Sequence, residues 1–358
     1  MYTAAYLKKF TTELFSGIGC SLNDAGIIAD VLVSAELRGI PSHGMVRIMD
    51  YIGLFEKNRI NVRPNVRITH ETPSTAVVDG DKCFGMIAGK YSMEIAIHKA
   101  SIAGSGWVSA KNSNHYGIAG YYAMMALKSD MTGISMTNAN PLVAPTWSVS
   151  RLLGTNPVAV AVPAGKYPPF VADFATTPIA RGKLAIKELA GEKVETGFVQ
   201  DRYGKPSADP GILKDGGEIL PLGGDYEHGS HKGYCMGAVV DIFSAVFSGA
   251  NFGPYVPPQI PYLPLPEIQV GEGLGHFFGA MRIDAFEEKD VFLARMDQWI
   301  ETFRNAEPAK DKPYVMIPGD PERISEEKKL AEGISIKETI AEELRTLAKK
   351  YGISFEEK

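Results

Sequence analysis

Cysteine is scarce in this chain, long apolar runs are missing, and the charge leans only slightly to one side. Cys20, Cys83 and Cys235 are the three cysteines in 358 residues, odd in number, far apart and without a CxxC pair. That excludes a disulfide framework as the simple reading and favours a reducing compartment, with the cytoplasm as the expectation. No apolar stretch reaches the ~18 residues that a membrane helix needs. The opening "MYTAAYLKKFTTELF" alternates at helical spacing and lacks the apolar core of a secretion signal. A net charge of -5 gives no electrostatic pull toward nucleic acid or an anionic membrane, so neither is expected as a partner. Three site motifs are also missing. There is no GxxxxGK[ST] and no HExxH, and "GSGWVS" and "GEGLGH" both fall short of GxGxxG between a strand and a helix. A standard Rossmann unit is not supported, so any nicotinamide cofactor needs another cradle.

What is present is an ordinary globular composition, 45% hydrophobic and 22% charged, in a chain long enough for one large or two interwoven domains. Residues 2–18 carry Leu7, Phe10, Leu14 and Phe15 at helical spacing. A second helix follows "SLND", where Ser21 and Asp24 have the spacing of a capping box, and stops near Gly39 and Pro41. A third is predicted to start near Gly44, after "PSHG". From about residue 75 short strand-like runs appear: "TAVVD", "GWVSAK", "GISMTN", "PVAVAV", "FVADFA" and "FFGAMRIDAF". Helical runs at 85–103, 118–129 and 231–248 separate them, and helix returns at 290–304 and 336–351. The simplest architecture is an α/β core over 75–284 beside a helical domain built from 1–74 and 285–358. The run "GPYVPPQIPYLPLPEI" fits an exposed connection or an arm reaching another subunit.

Six stretches carry candidate chemistry. In "PSHGMVR", Ser42 and His43 would flank a helix start, where free amides attract anions, with Arg47 one turn along. A guanidinium is a natural fork for a carboxylate; the plainer reading has Ser42 as a cap and Arg47 in solvent. In "NSNHYG", His115 follows a strand, where α/β proteins place sites, and an imidazole of pKa ~6.5 exchanges protons near neutrality. Asn112 and Asn114 can fix its tautomer, although a loop histidine bonded to backbone is as common. In "DYEHGSHKG", Asp225, Glu227, His228 and His231 look superficially like metal ligands, but Gly229 and the lack of a partnering cluster argue against a metal. Lys232 there suits a phosphate or ribose at a helix start. "TNANPLVAP" and "LGTNPVAVAVP" offer turn asparagines whose backbone can touch a cofactor. In "VADFATTPIARGK", Asp173 ends an apolar strand and can bind a ribose hydroxyl, orient a histidine or cap the helix starting near Pro178. Arg181 and Lys183 in that helix's first turn oppose its dipole, which suits an anionic ligand as well as solvent.

Together "RGIPSHGMVRIMDYI", "NSNHYGIAGYYA", "TNANPLVAP", "LGTNPVAVAVP", "DFATTPIARGK", "GGDYEHGSHKGY" and "MIPGDPE" closely resemble, in order along nearly the whole chain, the malate/L-lactate dehydrogenase family, which includes ureidoglycolate, sulfolactate and diketogulonate dehydrogenases. The resemblance implies a non-Rossmann α/β fold: a large, mainly antiparallel sheet domain flanked by helices, plus a helical domain from both termini. It implies a homodimer with the site between domains, and hydride transfer between NAD, or NADP, and a small 2-hydroxy or 2-oxo acid, malate first. By motif, His115 would be the general acid/base, with His43 and Arg47 facing substrate, Arg47 on its carboxylate, and Ser42 and Tyr51 lining the pocket. Thr137, Asn138, Asp173, Phe174, Ala175, Lys232 and Gly319 would contact the cofactor. NAD against NADP stays open: Arg181 or Lys183 could meet a 2′-phosphate, and Asp173 could equally read a free ribose. No metal is needed. Lactate, ureidoglycolate, sulfolactate or a cyclic imine stand as other substrates. The rivals are a metal-dependent hydrolase using His228 and His231, or a non-catalytic binding protein.

Overall fold

The structure is a computed structural model that describes residues 1–356. Helix α1 (Ala4–Gly17) starts where Thr3 accepts the Tyr6 amide and buries Leu7, Phe10, Leu14 and Phe15. Helix α2 (Leu22–Leu37) starts at the predicted capping pair: Ser21 Oγ accepts the Asp24 amide at 3.0 Å and donates to its carboxylate at 2.7 Å. The third helix, α3 (Arg47–Glu56), begins later than predicted. Pro41–His43 form a 3-10 turn instead, and Gly44, at φ -97° and ψ -136°, breaks the run. Ser42 therefore caps no helix. A Cβ at Gly44 would overlap the side chain of Glu36, whose Oε1 accepts the Met45 amide at 2.8 Å, so the turn is clamped from beneath.

Next come β1 (Arg67–Glu71), β2 (Thr75–Asp79), α4 (Gly85–Ala103), β3 (Ser105–Ser113), α5 (Ala119–Met125), β4 (Met131–Thr137), β5 (Val158–Val162), β6 (Phe170–Phe174) and α6 (Arg181–Leu189). Short strands β7 (Val199–Gln200), β8 (Pro206–Ser207) and β9 (Glu218–Ile219) make a small separate sheet. Then follow α7 (Ser230–Asp241), continued by a π turn over Ile242–Val246, β10 (Leu274–Arg282), α8 (Lys289–Arg304), α9 (Asp320–Glu332) and α10 (Glu338–Lys350).

The seven-stranded sheet runs β1-β2-β3-β10-β4-β5-β6. One pairing, β2–β3, is parallel, because α4 carries the chain back between the two strands; the other five are antiparallel. That is the mainly antiparallel, non-Rossmann sheet the motifs implied. Strand β10 is the centre, and its first seven residues are buried. Strand β4 alternates buried and half-buried positions. Helices from both ends of the chain meet: Lys329 of α9 donates to the Glu36 carbonyl of α2 at 2.6 Å, and Lys350 of α10 pairs with Glu56 of α3 at 2.6 Å. Helix α8 lies instead on the β5–β6 hairpin, where Asp297 accepts the amides of Gly165 and Lys166. The Pro-rich run forms an exposed strap on its own chain's α3: Pro261 sits against Gly53, and Arg59 donates to the Leu263 carbonyl at 2.9 Å. No helix among the described residues is long and apolar enough to cross a membrane.

Candidate active site

His115 lies just past the end of β3, buried, with its backbone pressed onto the start of α4. At Gly85 a Cβ would overlap the Asn114 carbonyl and the His115 backbone. This is a close approach that only glycine allows. Four further groups arrive from the N-terminal segment. Tyr51 of α3 places its Oη 2.7 Å from His115 Nδ1. The His43 ring lies 5.3 Å from the His115 ring, tilted by 30°. Ser42 Oγ is 3.0 Å from His43 Nδ1. Arg47 donates through Nε to the Ser42 carbonyl at 2.9 Å and through Nη1 to Asp50 at 3.0 Å, close enough for its charge to act on both imidazoles.

Burial and cations together keep these rings neutral. Burial, then Arg47, pushes His43 down to about 3. Burial, then Arg47, His43 and His276, holds His115 well below the usual imidazole range. Burial raises the Asp50 carboxyl against the opposing pull of Arg47 and Arg181. A neutral His115 with a hydroxyl on Nδ1 can place either its lone pair or its N–H on Nε2, because Tyr51 can donate or accept. The Tyr51 ring carries a raised hydroxyl pKa, chiefly from burial, and stays protonated in either role.

The structure moves several predicted partners. Asn112 and Asn114 do not fix the His115 ring: Asn112 donates to Asp79 at 2.9 Å and Asn114 to the Cys83 carbonyl at 2.9 Å. Tyr51, expected only to line the pocket, takes that task. Thr137 and Asn138 turn inward. The Thr137 hydroxyl meets His276 Nδ1 at 2.7 Å, and Asn138 bonds Asp241, the Asn251 carbonyl and the Gly275 amide, so their backbone alone is left for a ligand. Asp173 caps a helix, but α5 rather than the one near Pro178: its Oδ2 accepts the Gly120 amide at 2.8 Å, and burial pushes its pKa up to about 6. It thereby ties strand β6 to the segment that carries His115. Arg181 donates to Tyr262 at 3.1 Å and acts on Asp50, and it is not among the charges acting on Asp173. His228 binds Asp225 at 2.6 Å in solvent and His231 packs on Tyr226, and among the described residues no three His, Cys, Asp or Glu side chains converge as a metal site.

The remaining candidates lie on β6, at the turn before α9 and at the start of α7. Phe174 is exposed at the end of β6, followed by Ala175. Gly319 at φ 99° abuts Val171 of the same strand, whose amide donates to the Pro318 carbonyl at 3.1 Å. Lys232 is exposed in the first turn of α7, after Gly229 at φ 90°. Exposed cation, helix amides and glycine turn fit the phosphates of a dinucleotide, and the exposed Phe174 offers an apolar face nearby. His276 was missed. It stacks on Tyr116 at 4.7 Å and bridges β3 and β4 through Ser113 and Thr137, but no motif in "GLGHFFG" marks it.

The profile of the malate/L-lactate dehydrogenase family matches residues 2–345. The chain belongs to this family. It is a hydroxy acid dehydrogenase by that membership, and its relatives agree. A malate dehydrogenase of Pyrococcus abyssi is 38% identical over 348 residues, 97% of this chain and 94% of that one. An L-sulfolactate dehydrogenase of Methanocaldococcus jannaschii is 36% identical over 350 residues, 98% and 97% of the two chains. The solved malate dehydrogenase from Pyrococcus horikoshii OT3 superposes with a TM-score of 0.88 at 37% identity, covering 99% of this chain and 96% of that one. Within such a dehydrogenase, the Tyr51 bond makes a testable demand. Tyr51→Phe is expected to lower kcat about tenfold, the worth of one hydrogen bond of ~1–1.5 kcal/mol, with little change in KM. Steady-state rates within twofold of the parent would remove Tyr51 from the proton path.

Proposed function

We propose that this dehydrogenase interconverts malate and oxaloacetate with NAD. The observation that carries the reading is the convergence of His115, His43 and Arg47 from two distant segments. A bound nicotinamide supplies the hydride acceptor or donor. Lys232, Phe174, Ala175 and Gly319 hold it. Arg47 has Nη2 clear of the bonds it makes among the described residues, and orients the carboxylate. The neutral His115 takes the hydroxyl proton on Nε2 when malate is oxidised and returns it when oxaloacetate is reduced. A ring whose Nε2 is the base carries its proton on Nδ1, so Tyr51 accepts from Nδ1–H before and after the transfer. An arriving carboxylate opposes the field of Arg47 at His115 and raises the ring's pKa, so the base strengthens once substrate is in place. Bringing the reactants together is worth ~7–11 kcal/mol, more than the proton transfer itself.

The apolar row Val239, Ile242, Val246 and Phe247 on α7 and its π turn is exposed, with Leu263 and Leu265 of the strap. Exposed apolar rows of this kind mark interaction sites, and we assign this one to a second copy of the chain. Light scattering should give twice the 38.8 kDa chain mass. Three free cysteines suit the reducing cytoplasm, which cell fractionation checks. The enzyme test follows the ultraviolet band of NADH and NADPH against a panel of 2-oxo acids. Oxaloacetate with NADH is expected to be fastest; no consumption of either cofactor with any acid would sink the reading.

A further inference from the structure

The first turn of α6 rests against the turn that carries Ser42 and His43: a Cβ at Gly182 would sit 3.6 Å from Ser42 Cβ. Arg181, the residue before, therefore stands beside the turn whose Ser42 carbonyl Arg47 holds, and its charge reaches Asp50, which Arg47 already holds at 3.0 Å. One carboxylate thus faces two guanidiniums. Arg181 has no ion-pair partner among the described residues; its bond is to the neutral phenol of Tyr262 at 3.1 Å. Tyr262 belongs to the strap anchored on α3 by Pro261 and Leu263, so the strap holds Arg181 over the helix that carries Arg47 and Asp50. Helix α6 also has no side-chain cap and no acidic residue in its first turn. A cation at that positive end is disfavoured until an anion joins it.

We propose that Arg181 reads the second acidic group of a dianionic 2-hydroxy acid, while Arg47 takes the carboxylate beside the reacting carbon. This rests on the hydroxy acid dehydrogenase reading. With both acidic groups in place the charges close: two guanidiniums and a protonated His115 balance Asp50 and the dianion. A monoanion such as lactate leaves Arg181 with water alone. The substrate is thus a short diacid, the second group being a carboxylate or a sulfonate.

The test compares kcat/KM for malate, 3-sulfolactate and lactate in the parent, Arg181→Met and Arg181→Lys. Arg181→Met is expected to lose about 10–100-fold with the two dianions, mostly in KM, and less than threefold with lactate. Arg181→Lys, which keeps the charge without the fork, should recover part of the loss. The residue is exposed, so a thermal unfolding midpoint close to the parent's should accompany both variants. Equal losses on lactate and the dianions overturn the assignment. So does a loss confined to the KM of NADPH, which would return Arg181 to the 2′-phosphate. A parent that turns over none of the three acids refutes the underlying reading instead.

Discussion

Replacing His115 with asparagine is expected to cut kcat by about 10²–10⁴-fold in both directions, the usual worth of a positioned acid/base. Asparagine is close in size and still meets the Tyr51 hydroxyl, so the buried space behind β3 is not emptied; what it lacks is a titrating nitrogen. The binding of NADH, read by fluorescence, should stay within a few-fold of the parent, because the groups assigned to the cofactor lie on β6, α7 and the Gly319 turn. The pH profile is a second check. The base form is already present well below the ordinary imidazole pKa, since burial and Arg47 disfavour the cation. The acid limb of kcat/KM for malate oxidation should therefore lie below pH ~6.5, whereas the limb of kcat, which reports the complex, should lie higher once the carboxylate offsets Arg47. A variant with near-normal turnover would refute the role of His115, and coincident limbs would refute the charge compensation.

Arg47→Met carries the second large effect. A substrate carboxylate on a guanidinium makes charge-assisted hydrogen bonds of ~1.5–3 kcal/mol each. With part of that returned by water, kcat/KM for malate is expected to fall about 10²–10³-fold. The side chain is only partly buried, and its loss also strips Asp50 of its nearer cation, so the raised carboxyl of Asp50 should rise further. The sign at His115 is the reverse of an arginine's usual help to an acid: a nearby cation depresses the imidazole, so its removal raises the ring's pKa. The acid limb of the residual activity should then move to higher pH, yet remain on the acid side of ~6.5, because burial is the larger cause. Unchanged efficiency on malate would take Arg47 out of the site; a limb that fails to move would place its charge elsewhere.

Much of this could be read along the chain. The capping pair Ser21 and Asp24, the alternation in "GISMTN", and the histidine after "GWVSAK" all depend on neighbours a few residues away, and each is where the reading put it. The missing GxGxxG was informative too, since a sheet with one parallel pairing has no tandem βαβ units to carry that loop. Local rules failed where two signals competed. "PSHGMVR" reads as a helix start, but Pro41 begins a 3-10 turn and Gly44, held over Glu36, cannot continue it. Helix α9 was read only as part of a helical C-terminal segment, without bounds, and strand β1 was not read at all. Their surfaces are largely exposed, so they carry little apolar periodicity to find.

By itself the sequence determined which residue types stand ready: a proton carrier after a strand, an arginine six residues after a proline, and a lysine among glycines. Only the tertiary structure decided who meets whom. Tyr51 reaches His115 across 64 residues, β10 inserts between β3 and β4, Asp173 serves the helix after His115, and Arg181 joins Arg47 in acting on Asp50. Periodicity marks the face that each element buries, but which faces pair depends on the packing of the whole chain, and the chemistry of a site is set at those pairings.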